Sequence, residues 1–152
     1  MIRLIFNADE VTEDIKIEVQ NYIELLMKND LNIKSAFMQL YTGVSVPKDC
    51  EYIHICGEKL IFEKINNLTL QTSPGSFIQV NTKGAELLYG NIKKWLKLHV
   101  TEKTVLYDIY CGIGSLGINV TSGNPIIGIE CVPDAVYDAI HNAKLNSFFF
   151  SI

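Results

Sequence analysis

Asp108, three glycines and Glu130 stand at spacings that suit a pocket for an adenosine-containing ligand. The apolar run Thr104-Val105-Leu106-Tyr107 reads as a strand and ends in Asp108. Next comes Gly112-Ile113-Gly114-Ser115-Leu116-Gly117, a complete G-x-G-x-x-G. A second apolar run, Ile126-Ile127-Gly128-Ile129, ends in Glu130. Glycines at these places let a strand turn sharply into a helix and let a ligand approach the backbone, and an acid closing the second strand can hold ribose hydroxyls.

The acid before the loop bears on the ligand's charge. In dinucleotide-binding proteins the loop cradles a pyrophosphate at a helix N-terminus. A carboxylate at Asp108 would repel that group. It suits instead a cationic, phosphate-free cofactor, and S-adenosylmethionine combines a sulfonium, an ammonium and an adenosine. Asp108 would serve its amino-acid end, directly or through water, and Glu130 both ribose hydroxyls. The separation, 130 − 112 = 18 positions, fits a turn, a short helix and a strand. Each acid also has a plain structural reading, a helix cap for Asp108 and an exposed loop carboxylate for Glu130. An NAD-dependent oxidoreductase fragment is the competing functional reading, supported by the complete glycine pattern.

The elements that must position these residues form two parts. Residues 2–6 read as a strand and 9–28 as a helix, with Ile15, Val19, Tyr22, Ile23 and Leu26 at helical spacing and Asp9, Glu10, Glu13 and Asp14 near the positive end of its dipole. Residues 33–41 and 52–56 read as strands. Asn66-Asn67 makes a hairpin turn between Lys59–Ile65 and Leu68–Thr72. Thr72-Ser73-Pro74-Gly75-Ser76 is the strongest punctuation in the chain. It divides a small α+β lobe, 1–75, from a second part, 76–152. There Phe77–Val80 is extended, and Asn81 caps a helix over about 82–98 with Ala85, Leu88, Ile92 and Trp95 on one face. Strand and helix then alternate, with Pro133 opening a helix whose buried face is Val136, Ala139, Ile140 and Ala143. A third strand begins at Phe148. Such alternation implies an α/β fold with a parallel sheet, half of a doubly wound one.

Composition narrows the functional classes. The chain is 48% apolar with a formal charge of −4, and Arg3 is its single arginine. A packed core is expected, and no apolar run approaches the roughly 20 residues that cross a bilayer. The N-terminus resembles neither a secretory signal nor a transit peptide. Cys50, Cys56, Cys111 and Cys131 form no C-x-x-C pair and do not cluster with His54, His99 or His141, so no metal is expected. Reduced thiols and a cytoplasmic setting are the expectation. Lys93, Lys94, Lys97 and Lys103 read as a solvated helix face rather than a phosphate-binding patch.

Two segments together resemble the RNA (uracil-5-)-methyltransferases, and the first lobe is similar in character to that family's central domain, especially in the animal-type tRNA enzymes. Ser73-Pro74-Gly75-Ser76-Phe77-Ile78-Gln79-Val80-Asn81 is similar to that family's S-P-x-x-F-x-Q-x-N segment. Asp108-Ile109-Tyr110-Cys111-Gly112-Ile113-Gly114 is similar to its D-x-[FYC]-C-G-x-G loop. Gly128-Ile129-Glu130 and Asn142-Ala143-Lys144-Leu145-Asn146 continue the match, which runs from about residue 60 to the end. The resemblance implies the N-terminal half of a class I (Rossmann-like) methyltransferase sheet preceded by a small α+β lobe. It implies S-adenosylmethionine as cofactor and RNA, most of all tRNA, as partner. Gln79 then faces the cofactor and the target base, where an amide can both donate to and accept from a uracil edge. Tyr110 lies beside the sulfonium, which its π face can attract. Gly112, Gly114 and Ser115 line the cofactor, Asp108 and Glu130 keep the roles given above, and Cys111 packs the turn.

In that family carbon 5 of uracil is activated covalently. A cysteine thiolate adds to carbon 6, carbon 5 attacks the methyl group, a base removes the carbon-5 proton, and the cysteine leaves. The resemblance implies that this cysteine, the base and an Asp-Pro-Pro loop lie C-terminal to the third strand, beyond Ile152. The 152-residue chain is therefore expected to carry no catalytic residue, to bind cofactor weakly or not at all, and to associate through an open sheet edge at Phe148-Phe149-Phe150. A non-catalytic binding module is the reading from a different class.

Overall fold

A computed structural model of the chain describes residues 1–29, 32–44 and 51–152, and Cys50 lies outside them. The chain divides into two units, Met1–Ile61 and Phe62–Ile152. In the first, β1 (Ile2–Asn7) pairs in parallel with β2 (Ser35–Tyr41), which pairs antiparallel with β3 (Tyr52–Gly57). As the central strand, β2 carries the core residues Ala36, Phe37 and Met38, and Ile23 of α1 (Glu13–Lys28) is buried too. The helix starts at Glu13, later than the acidic cluster suggests. Asn7 draws the chain into a turn by accepting from Asp9 N and Glu10 N, and the Thr12 hydroxyl accepts from Ile15 N as the N-cap.

The hairpin β4 (Ile61–Ile65) and β5 (Leu68–Thr72) forms a sheet of its own. Asn66 turns it at φ 56°, a left-handed conformation that asparagine tolerates. After it come α2 (Thr82–His99), β6 (Leu106–Ile109), α3 (Ser115–Val120), β7 (Ile126–Ile129), α4 (Pro133–Leu145) and β8 (Phe150–Ser151). The last three strands make a parallel sheet in the order β6-β7-β8. Ile65, Leu70, Ala85, Tyr89, Ile113 and Val120 form the core of this unit.

The hairpin, which the sequence attaches to the first lobe, is held instead by side chains of α4. Asn142 Oδ1 accepts from Gln71 N at 2.6 Å, and its Nδ2 donates to the carbonyls of Gln71 and Ile113, each at 3.0 Å. One turn further on, Asn146 accepts from Thr69 N at 3.1 Å and donates to Thr69 O at 2.8 Å. Two carboxamides thus give β5 what a neighbouring strand would give, a donor and an acceptor at every second residue. The buried face of α4 is accordingly Ala135, Asp138, Ala139, Asn142 and Ala143, with Ile140 exposed. On α2 the buried positions are Ala85 and Tyr89, with Ile92 and Leu96 half-buried, whereas Leu88 and Trp95 are exposed. Both faces are rotated from the ones that the aliphatic residues suggest.

Close packing explains one glycine outside the loop. A Cβ at Gly128 would stand 2.6 Å from Phe150 and 2.9 Å from Cys111 Sγ, so the strand approaches both neighbours only because the position is bare.

The Asn142 bonds have a measurable cost of removal. Asn142→Ala strips the partners from Gln71 N, Gln71 O and Ile113 O, and an unsatisfied buried group costs about 1–3 kcal/mol. Denaturant unfolding should show a loss of roughly 2–4 kcal/mol, allowing for partial rescue by water. A loss below about 1 kcal/mol would mean that the hairpin is held by its apolar contacts alone.

Candidate functional site

Asp108 and Gly128 are paired across β6 and β7, as are Ile109 and Ile129. The ladder runs one bond further, from Cys111 N to Ile129 O at 3.1 Å. There the chain leaves the sheet through Tyr110 (φ 62°), Gly112 (φ 54°) and Gly114 (φ 76°). Gly114 N closes the turn by donating to Cys111 O at 2.9 Å. A tyrosine in the left-handed region is a strained choice, and such strain collects at functional sites. Tyr110 is 85% exposed and is thus not a core aromatic.

The turn opens a cleft of about 250 Å³. Phe77 and Gln79, from the stretch between β5 and α2, line it with Asp108, Tyr110, Gly112 and Ser115. A Cβ at Gly112 would meet nothing within 4 Å, so the loop's backbone faces open space there. Gly114 is buried as the N-cap of α3. Five of the seven residues singled out by sequence therefore share one cleft. Gly114 supports it, and Glu130 reaches it through Gly112.

Asp108 does structural work with one oxygen. Gly114 has no side chain with which to cap α3, and Asp108 Oδ2 accepts from Gly117 N at 2.9 Å in its place. A Cβ at Gly117 would lie 2.7 Å from that oxygen, so the third glycine of the motif admits the carboxylate. Burial pushes the Asp108 carboxyl above its usual range, and the Gly117 bond offsets this only in part.

Glu130 has the opposite balance. Burial pushes it up, but its oxygens accept from Val132 N at 2.9 Å, Cys131 N at 2.7 Å and Gly112 N at 3.0 Å, and these bonds hold it below the ordinary carboxylate value. A carboxylate offers about four acceptor positions, so about one is left for a ligand hydroxyl unless Gly112 lets go. Cys111 is buried in the same loop. Burial first, then the nearby charges of Asp108 and Glu130, push its thiol up to about 11.

The sequence reading missed two neighbours of the site. Tyr89 is buried on the cleft wall, and its hydroxyl lies 3.2 Å from Ser115 Oγ. One signal was its place four residues after Ala85 and three before Ile92. Asp138 has no exposed surface and bonds the turn that precedes Phe77. Its signal was the 138, 142, 146 spacing of polar residues along one helix.

No family model matches the sequence. An uncharacterized RNA methyltransferase of Clostridium tetani is 35% identical over 144 residues, covering 93% of this chain and 29% of the relative. The human tRNA (uracil-5-)-methyltransferase homolog A is 38% identical over 94 residues, covering 61% of this chain and 15% of that protein. The chain is a homologue of the RNA methyltransferases. It spans less than a third of the length of these relatives. The Pyrococcus abyssi tRNA (uracil-54, C5)-methyltransferase, solved in complex with S-adenosyl-L-homocysteine, superposes with a TM-score of 0.63 at 21% identity, over 82% of this chain and 31% of that one. The likeness shows the expected fold, an α/β arrangement with the parallel sheet β6-β7-β8.

The raised Asp108 carboxyl contributes a pH dependence to stability. The folded state favours protonated Asp108, so this group stabilises as pH falls through its raised value and opposes folding at neutral pH. Asp108→Asn keeps an acceptor for Gly117 N without the charge. It should raise the Tm at pH 7, and by more than at pH 4, in scanning calorimetry; a lowered Tm at pH 7 would refute this. For thiols, iodoacetamide at pH 7.5 should modify exposed Cys131 and leave buried Cys111 intact, as read by peptide mass.

Proposed function

We propose that this chain supplies the S-adenosylmethionine-binding part of an enzyme that methylates carbon 5 of uridine in RNA, tRNA first among its substrates. The observation that carries the reading is the cleft beside Gly112: it is walled by the Asp108 carboxylate, open to the backbone, and among its described lining residues none is basic. Such a cleft suits a cation and disfavours a pyrophosphate.

The residues present fit the cofactor, which when bound supplies an electrophilic methyl group. Asp108 has Oδ1 to offer an ammonium while Oδ2 holds α3. Glu130 offers its remaining acceptor position to a ribose hydroxyl, and Gly112 admits the ligand to the backbone. Ser115, oriented by Tyr89, offers a hydroxyl from the first turn of α3. Tyr110, exposed at the rim, presents a π face to a sulfonium. The Gln79 amide can read a uracil edge across the same cleft. On this reading, the unit Phe62–Ile152 carries the binding site and Met1–Ile61 is the preceding lobe, in a cytoplasmic protein.

Thermal shifts separate the cofactors. Millimolar S-adenosylhomocysteine should raise the Tm by a few degrees, NADH should not, and Glu130→Ala should abolish the shift. Stabilisation by NADH with none by S-adenosylhomocysteine would overturn the assignment in favour of a dinucleotide.

A further inference from the structure

Asp138 lies outside the cleft, yet its bonds lead to one wall of it. Its carboxylate is completely buried and meets four uncharged donors. Gln71 Nε2 and Ser73 Oγ donate to Oδ1, each at 2.8 Å, and Ser73 N and Ser76 Oγ donate to Oδ2 at 2.7 and 2.6 Å. Three of the four come from the turn Ser73-Pro74-Gly75-Ser76, which Ser76 N also closes by donating to Ser73 O at 3.1 Å.

Residues 77–80 belong to no strand; within them Ile78 packs against the core of the unit, and beyond them the Asn81 side chain accepts from Gly84 N at 3.0 Å and caps α2. Phe77 and Gln79 are both exposed, but both line the cleft. Their position is therefore set by the Ile78 anchor and by the two ends of a short unpaired span, and Asp138 fixes the N-terminal end. A buried charge is a poor device for stability alone, because an apolar residue of similar size avoids the desolvation cost. It is a good device for orientation, since a carboxylate takes four donors at defined angles whereas an amide in its place turns two N–H groups against them.

We propose that Asp138 is a positioning residue for the cleft: by clamping the Ser73–Ser76 turn to α4 it places Phe77 and Gln79 opposite the glycine loop. The functional consequence rests on the cofactor reading given above. The prediction is a local loosening of this wall, distinct from a general loss of stability.

The test compares Asp138→Asn with Asn146→Ala, which also cuts α4 from β5 but at Thr69, away from the turn. Under native conditions chymotrypsin should cleave Asp138→Asn after exposed Phe77 at least ten-fold faster than the parent chain, with no such rise after buried Tyr89. Asn146→Ala should lower the Tm without the increase at Phe77. In a Tm titration with S-adenosylhomocysteine, the midpoint concentration should rise at least ten-fold for Asp138→Asn and stay within two-fold for Asn146→Ala. Unchanged cleavage at Phe77, or an equal rise at Phe77 and Tyr89, overturns the proposal. So does a normal titration midpoint in Asp138→Asn. Should Asp138→Asn fail to fold, Ser76→Ala removes a single donor and is judged by the same two readouts. If the parent chain is not stabilised by S-adenosylhomocysteine, the cofactor reading fails, and the cleavage pattern alone decides whether Asp138 holds the wall.

Discussion

The second unit depends on one face of one helix standing in for a missing strand. Strand β5 is paired with β4 on one side, and on the other its backbone meets Asn142 and Asn146 instead of a further strand. Asn142 also donates to the carbonyl of Ile113, inside the glycine loop. A single carboxamide therefore ties the hairpin, the helix and the loop together. Buried backbone groups must find partners, and once α4 answers that demand for β5, the register of the hairpin against the loop has no slack.

The cleft is built by sharing acidic groups between support and reception. Asp108 takes over the capping that Gly114 cannot perform, and it bears a burial penalty that one backbone bond does not cancel. Glu130 is satisfied by three backbone donors and is easily ionised. Asp108 stands in the wall that a cationic ligand would meet, and Glu130 is tied to that wall through Gly112. Their spacing in sequence comes from the strand, turn and helix that the three glycines permit, and the register of Asp108 with Gly128 brings both to the same end of the sheet.

Much of this was legible in the sequence because it is local. Turn chemistry gave the Asn66 hairpin, the Asn81 cap, the Pro133 helix start and the glycine loop. Alternation of elements gave the parallel sheet, and the loop acids gave the cleft. What was illegible was tertiary. Aliphatic spacing picked Leu88, Trp95 and Ile140 as core positions, yet the helices turn Tyr89, Asp138 and Asn142 inward, because those polar groups find partners there. A polar residue at a core position can be recognised only when its partner is known, and for Asp138 the partner is a turn more than sixty residues earlier. The hairpin's attachment was missed for the same reason: Pro74-Gly75 marks a turn in the chain and says nothing about which unit the turn packs against.

Cys111 carries a consequence of another kind. Burial, and after it the charges of Asp108 and Glu130, push the thiol up to about 11, so at neutral pH it is held as the neutral thiol. Cys111 is also one of the residues lining the cleft. On the cofactor reading proposed above, a sulfonium methyl donor would lie near this sulfur, and a protonated thiol is a poor nucleophile toward it. Burial does most of this, and the two acids that would attract a positive charge add to it, so the groups that would receive such a ligand also help to keep the neighbouring sulfur protonated.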